Sequence, residues 1–343
     1  MKETNHIALY RKYRPQNFED VSGQESIVNL LISSIKSGKV SHAYLFCGGR
    51  GTGKTTVARI FAREVGSNDE DIIEIDAASN RGIDEVRELR EAVRTAPFSS
   101  KYKVYIIDEA HMLTREAANA LLKTLEEPGS HVIFILATTD PQKLPKTISS
   151  RCQVITFKEP DNKTLTDRLI FIAKEEGYNL DEESASLVAS HGHGSYRDAI
   201  GVLEQILNQS NKKVDKEFVS NYLGKVDFEI LNSLIEAICT KDASKIVKII
   251  NKEEKEGKNP LTFYNQLLQF FRNGLLIRAK EDGLIENLSK EEKEKVNILA
   301  NEFPLVINTK TLLTLLNNYD LVKNSERNSW TAVLAVFVSL TEE

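Results

Sequence analysis

The hydrophobic positions of this chain fall into two regimes. Through about residue 160, short apolar runs alternate with helical patterns, and five of the runs read as strands: "AYLFCG" (43–48), "DIIEIDAAS" (71–79), "KVYIIDE" (103–109), "HVIFILATT" (131–139) and "QVITFKE" (153–159). Continuous apolar runs of this length suit strands buried on both faces of a parallel sheet. Between them, "QESIVNLLISSI", "TTVARIFAREV" and "REAANALLKTLEE" repeat apolar residues at helical spacing, the last with Thr114 as its N-cap and an end before Pro128. This alternation predicts an α/β layer fold. After Pro160 the strand pattern vanishes. "NKTLTDRLIFIAKEEG", "DEESASLVASHG" and "SYRDAIGVLEQILNQ" predict three amphipathic helices, a fourth short helix at about 215–223 leads to Gly224, and from about 227 onward the pattern is helical again. The chain therefore divides into an α/β domain over 1–160, a small helical domain over 161–224 and an all-helical domain over 225–343.

With 41% hydrophobic and 28% charged residues over 343 positions, the chain can bury a substantial core. The net charge of −5, from 45 basic and 50 acidic side chains, gives no bulk electrostatic case for nucleic-acid binding. Contact with DNA would have to come from a local patch or from helix N-termini. Cys47, Cys152 and Cys239 lack metal-ligand spacing, which fits a reducing cytosol. The first residues hold no apolar signal-peptide region, and no apolar run approaches the roughly 18 residues of a membrane span. A cytoplasmic protein is expected.

The chemistry begins at "GGRGTGKT", Gly48, Gly49, Arg50, Gly51, Thr52, Gly53, Lys54 and Thr55, which matches G-x-x-x-x-G-K-[ST] between a strand and a helix, with Thr56 following. Glycines let backbone N–H groups turn toward phosphate oxygens at a helix N-terminus. Lys54 would reach the β- and γ-phosphates and the Thr55 hydroxyl would ligate Mg²⁺. "VYIIDEAH" supplies Asp108 at a strand end for the same Mg²⁺ and Glu109 as the base that polarises an attacking water. Such an acid pair favours hydrolysis over transfer to a metabolite. Thr138 and Thr139 end the next strand, where a hydroxyl could orient that water or sense the γ-phosphate. Arg197, in "GSYRDA", sits unfavourably against a helix dipole unless a phosphate or a nearby acid such as Asp198 holds it.

Taken in order, "LYRKYRPQNFEDVSGQE", the P-loop, "IIEIDAAS", "IDEAHMLT", "ALLKTLEEP", "ATTDPQKLP", "SSRC" and "GSYRDA" resemble the gamma/tau clamp-loader subunits of bacterial DNA polymerase III, which are AAA+ ATPases. The resemblance covers essentially the first 225 residues; the helical remainder matches in type and length. It implies an AAA+ P-loop domain with a five-stranded parallel sheet, a helical lid carrying a second sensor, and an all-α collar for oligomerisation. It also implies ATP and Mg²⁺ as cofactors, and as partners delta, delta-prime and further gamma-type subunits in a pentameric ring, a sliding clamp and primer–template DNA. The activity implied is ATP hydrolysis that loads the clamp at replication forks; no polymerase site is read in this chain. By the same resemblance Arg151, between Ser150 and Cys152, is an arginine finger for the neighbouring subunit's ATP, Arg197 is the second sensor and Thr139 the first. Pro15 and Val21 fall where the family packs adenine.

One departure stands out. The family's four zinc-binding cysteines have no counterpart, since only "GSNDE" (66–70) separates the P-loop helix from the second strand, and no zinc is expected. His191 and His193 do not supply a substitute. The "DEAH" string around His111 matches RNA helicases whose other motifs are absent. A different AAA+ motor, such as a branch-migration helicase, and a scaffold that binds ATP without turning it over are the competing readings.

Overall fold

The computed structural model describes residues 7–79, 91–210, 213–223, 228–285, 288, 290–325 and 328–342; the expected boundary at Gly224 lies outside them. The chain separates into two compact units, Met1–Val214 and Asp215–Glu343.

The first unit is built on a parallel sheet of β1 (Ala43–Cys47), β2 (Ile72–Asp76), β3 (Lys103–Asp108), β4 (Val132–Thr138) and β5 (Gln153–Thr156), in the order β2-β3-β4-β1-β5. β1 and β4 are buried along their whole length. Their alternate residues feed two cores, Tyr44 and Phe46 on one face with Phe61 and Ile135, and Leu45 on the other with Tyr105, Leu121 and Phe134. The second and fifth runs depart from the expectation of burial on both faces: β2, one edge of the sheet, has no fully buried residue, and Glu74 and Asp76 are exposed. β5 is an edge strand, and Gln153, Val154 and Thr156 are exposed. Gln153 and Thr156 make β5 more polar than β1, the strand it pairs with, while the exposure of Val154 follows from its place at the sheet edge.

After a short α1 (Leu9–Lys12), the helices that cover the sheet are α2 (Glu25–Lys36), α3 (Lys54–Glu64), α4 (Arg115–Glu126) and the single turn α5 (Lys146–Ser149). Thr114 caps α4 as expected, its hydroxyl accepting the Ala117 N–H at 3.2 Å. Segment 66–70 turns directly into β2, and the adjoining Asp71 is buried with its carboxylate accepting the Phe98 and Ser99 N–H groups at 2.7 and 3.1 Å. Burial opposes the charged form, but these hydrogen bonds, together with those from Ser100, outweigh it and hold the Asp71 pKa below the ordinary aspartate value. Asp71→Ala strands both donors and is expected to lower stability at pH 7 by roughly 1–3 kcal/mol in thermal unfolding. Because the folded-state pKa is depressed, the wild-type advantage is complete above about pH 4 and fades as the pH falls through the lower folded value.

Beyond the sheet, α6 (Asn162–Glu175), α7 (Glu182–His191) and α8 (Tyr196–Gln209) pack together. Asp161, Asp181 and Ser195 cap them through side-chain oxygens. A two-residue parallel pair, β6 (Asn179–Leu180) with β7 (Lys213–Val214), also occurs here. Two residues are too few to display a strand period, so the sequence gives no sign of it.

The second unit holds α9 (Lys216–Tyr222), α10 (Phe228–Cys239), α11 (Ala243–Lys255), α12 (Pro260–Arg278), α13 (Lys290–Glu302), α14 (Thr309–Asn317), α15 (Tyr319–Asn324) and α16 (Ser329–Glu342). Phe263, Tyr264, Leu267 and Phe271 of α12 meet Ile307 and Phe337 in its core, and the buried Tyr264 hydroxyl donates to the Leu315 carbonyl at 2.8 Å. Among the described residues no helix is long and apolar enough to cross a membrane.

Candidate functional site

The strand order sets the site. β4 lies between β1 and β3, so the loop leaving β1, the acids ending β3 and the threonines ending β4 emerge side by side at the carboxyl edge of the sheet. A cleft of about 660 Å³ opens there, bounded by residues 50–57, Asp108, Glu109, the N-terminal segment and α8.

Gly53 caps α3 with φ of 100°, a left-handed conformation that glycine adopts without a Cβ penalty. This turns the chain so that α3 begins at Lys54 with its free N–H groups facing the cleft. The Lys54 ammonium is folded back onto the loop, donating to the carbonyls of Gly48 and Gly49 at 2.9 and 2.7 Å. Burial lowers its pKa, against the opposing pull of Glu109 and then Asp108. The Thr55 hydroxyl donates to Asp108 Oδ2 at 2.8 Å. These two oxygens form a hard-donor set suited to Mg²⁺. Asp108 Oδ1 accepts the Glu109 N–H at 3.0 Å, and the Thr139 hydroxyl donates to Glu109 Oε2 at 3.2 Å.

Arg50, Gly51, Thr52 and Thr56 line the cleft, as do Pro15, Val21 and Arg197. The Arg197 guanidinium lies 5.1 Å from the centre of the Tyr10 ring. The aromatic face offsets the cost of a cation in the first turn of α8, a partner not foreseen from the sequence. Arg151 is not brought into this cleft. Its Nη2 bonds Glu126 Oε1 at 2.6 Å and its Nη1 the Thr147 carbonyl at 2.7 Å.

The sequence reading missed much of the cleft's cationic wall. Arg11, Arg14 and Arg59 also line it. Burial, and after it the neighbouring Arg59, lowers the Arg14 pKa, and Glu74 opposes the shift only in part. Arg59 is held by a bidentate pair with Glu74 at 2.7 and 2.8 Å. The N-terminal segment reaches the cleft because it is tied to α6. Arg168 donates to the Tyr13 carbonyl at 2.6 Å, Lys12 pairs with Glu176 at 2.6 Å, and the Tyr13 hydroxyl donates to the same Glu176. The available signal was "LYRKYRP" itself, two aromatics and three cations in seven residues.

The first turn of α8 is seated on the phosphate loop. Gly51, at φ of 71°, accepts the Tyr196 N–H at 3.0 Å, and a Cβ at Gly51 would lie 2.0 Å from Ser195 Oγ. Gly51→Ala therefore has to push α8 and Arg197 away from the loop. It is expected to weaken ATP binding by about tenfold or more, equivalent to about 1.4 kcal/mol, in titrations with a fluorescent ATP analogue.

The sequence matches point to subunits of DNA polymerase III. Residues 23–80 and 66–161 match the family described as DNA polymerase III, delta subunit, and residues 214–336 match DNA polymerase III subunits gamma and tau domain III. The chain is 37% identical over 287 residues to the DNA polymerase III subunit gamma of Buchnera aphidicola from Acyrthosiphon pisum, covering 78% of this chain and 80% of that protein. It is 41% identical over 311 residues to the subunit tau of Bacillus subtilis, covering 84% of this chain. It spans about half the length of that tau protein, 55%. Among solved structures, the Thermotoga maritima RuvB Holliday junction branch migration motor has a TM-score of 0.53 at 19% identity, covering 66% of this chain and 79% of the other. At that identity the likeness is one of fold alone.

Proposed function

From the premise that the chain belongs to the gamma/tau family of DNA polymerase III subunits, we propose that it is an ATP-hydrolysing clamp-loader subunit whose catalytic centre is completed by a neighbour. The observation that carries this reading is the separation of Arg151 from an otherwise assembled hydrolytic site. Residues 1–160 would bind the nucleotide, 161–224 would act as the lid, and 225–343 would hold the subunits together.

In this reading the backbone N–H groups of 50–55 and the Lys54 ammonium bind the triphosphate, Lys54 exchanging its two loop carbonyls for phosphate oxygens. Thr55 and Asp108 would hold Mg²⁺, which when bound neutralises phosphate charge. Glu109 accepts the proton of the attacking water, and Thr139 keeps its carboxylate oriented. Arg197 carries the lid's response to the γ-phosphate, since it is fixed to the helix seated on Gly51. Pro15 and Val21 contact the base. Arg151 of an adjoining subunit then meets the charge that develops on the γ-phosphoryl group.

The cycle proposed is ATP-driven opening of a sliding clamp, followed by hydrolysis on primed DNA and release of the closed clamp. It would take place in the cytoplasm at replication forks, in a ring with delta-type and further gamma-type subunits. DNA would be met by helix N-termini and local basic residues, in keeping with the net charge of −5. The test is the ATPase rate of the chain alone, with partner subunits, and with partner subunits, clamp and primed DNA. The rate is expected to be lowest for the isolated chain and highest for the complete mixture. Full-speed turnover by a strictly monomeric preparation would overturn the proposal, and stimulation by branched DNA without a clamp would favour a branch-migration motor.

A further inference from the structure

Glu109 belongs to a side-chain relay that the nucleotide motifs leave unassigned. Its backbone stands at φ 48° and ψ 43°, a left-handed conformation that a glutamate adopts only when its surroundings enforce it. The chain then makes the short turn Ala110–Met112, which brings His111 back over the carboxyl end of β4. The imidazole is largely buried, its side chain 11% exposed. Nδ1 lies 3.1 Å from Thr138 Oγ1 and 3.4 Å from Glu109 Oε2. Thr138 is fully buried, and its Oγ1 also accepts the Asp140 N–H at 3.1 Å, which fixes the hydroxyl as an anchor.

The chemistry selects a tautomer. An ionised carboxylate only accepts, and a threonine oxygen can accept, so a proton on Nδ1 satisfies both neighbours. The Thr139 hydroxyl approaches the same carboxylate oxygen, Oε2. Two neighbours therefore constrain Oε2, while among the described residues Oε1 takes no hydrogen bond and remains the oxygen to receive a water proton.

We infer that His111 is a positioning residue: through Nδ1, anchored on Thr138, it fixes the direction in which Glu109 presents its free carboxylate oxygen to the attacking water. This rests on the ATPase reading above, and it adds a residue that acts through Glu109 without touching the nucleotide. The alternative is a buried histidine that only fills space, and the two differ in what they do to catalysis.

The experiment compares His111→Ala, His111→Asn, His111→Gln, Thr138→Val and the double variant His111→Ala/Thr138→Val in the complete complex with clamp and primed DNA. Thermal unfolding and fluorescent-ATP binding verify that each chain is folded. His111→Ala is expected to lower kcat by about ten- to a hundredfold, the cost of a reacting group displaced by about 1 Å, with KM for ATP changed less than about twofold. Asn, whose carboxamide nitrogen falls where Nδ1 stood, restores most of kcat; Gln, which reaches the Nε2 position, restores little. Thr138→Val lowers kcat in the same direction, and the double variant is no slower than His111→Ala, because both act through one chain of contacts. Equal rates for wild type and His111→Ala, a change confined to KM, equal recovery by Asn and Gln, or additive losses would each overturn the inference. If the wild-type complex itself hydrolysed no ATP, the proposed function would fail and the inference with it, whereas active wild type with indifferent variants removes the inference alone.

Discussion

Replacing Glu109 with glutamine is expected to slow ATP hydrolysis by the complete complex by about 10²–10⁴-fold, the usual worth of a positioned general base, while ATP binding stays within a few-fold of wild type. The substitution is nearly isosteric. A glutamine carbonyl still accepts the Thr139 hydroxyl that reaches Glu109 Oε2 at 3.2 Å, so the turn into Ala110 is left in place. What disappears is the negative charge and the capacity to take a proton from water. The charge also acts on Lys54, whose pKa Glu109 helps to raise against burial. Its loss removes one competitor for the ammonium, which argues against weaker phosphate binding. ATP bound without being consumed should also hold the complex in its clamp-binding state. Turnover measured by phosphate release, beside binding of a fluorescent ATP analogue, separates the two effects. Unchanged turnover in Glu109→Gln would remove Glu109 as the base, and if Lys54→Ala also left turnover unchanged the hydrolysis would belong to other subunits and this chain would be a nucleotide-binding scaffold.

The parts of this site written in the sequence are those in which chemistry and chain position coincide. "GGRGTGKT" needs only a strand before it and a helix after it, and the strand ends carrying Asp108 and Thr138 fall on the same carboxyl edge once a parallel sheet is assumed. The order of strands is different. That β4 separates β1 from β3 is a tertiary fact, and it is why Thr139 reaches Glu109 from thirty positions away. Tyr10, Arg11 and Arg14 were legible as a family signature but not as cleft walls, because their place depends on Arg168 and Glu176 some 155–164 residues later. His111 was visible only as part of a four-letter string; its meaning comes from a 3.1 Å approach to Thr138 that no spacing rule encodes. The exposed face of β5 was legible in part: Gln153 and Thr156 mark the strand as half polar, whereas Val154 looks like a core residue until the order of the sheet places it at an edge.

Mixing two inactive chains should restore activity if Arg151 serves a neighbour's nucleotide. Arg151→Ala is expected to lower hydrolysis in the complete complex by about 10³–10⁵-fold, the range for an arginine finger, or roughly 4–7 kcal/mol of barrier. Lys54→Ala should abolish turnover at its own phosphate loop. In a ring holding both variants, some interfaces join the intact loop of an Arg151→Ala chain to the intact arginine of a Lys54→Ala chain. Those interfaces are whole, and the mixed complex should hydrolyse ATP where neither variant does so by itself. The resting contacts of Arg151 do not stand in the way. Its ion pair with Glu126 is partly exposed on both sides, 35% and 48%, and such pairs contribute only about 0–1 kcal/mol. A phosphate carrying developing charge, held where water is excluded, offers the guanidinium a stronger and bidentate partner. An isolated chain has no such phosphate within reach of Arg151, so Arg151→Ala alone should leave its fluorescent-ATP affinity unchanged. Should that affinity fall in the isolated chain, or should the mixture stay as inactive as its components, Arg151 would belong to its own subunit's site and assembly would no longer be what licenses hydrolysis.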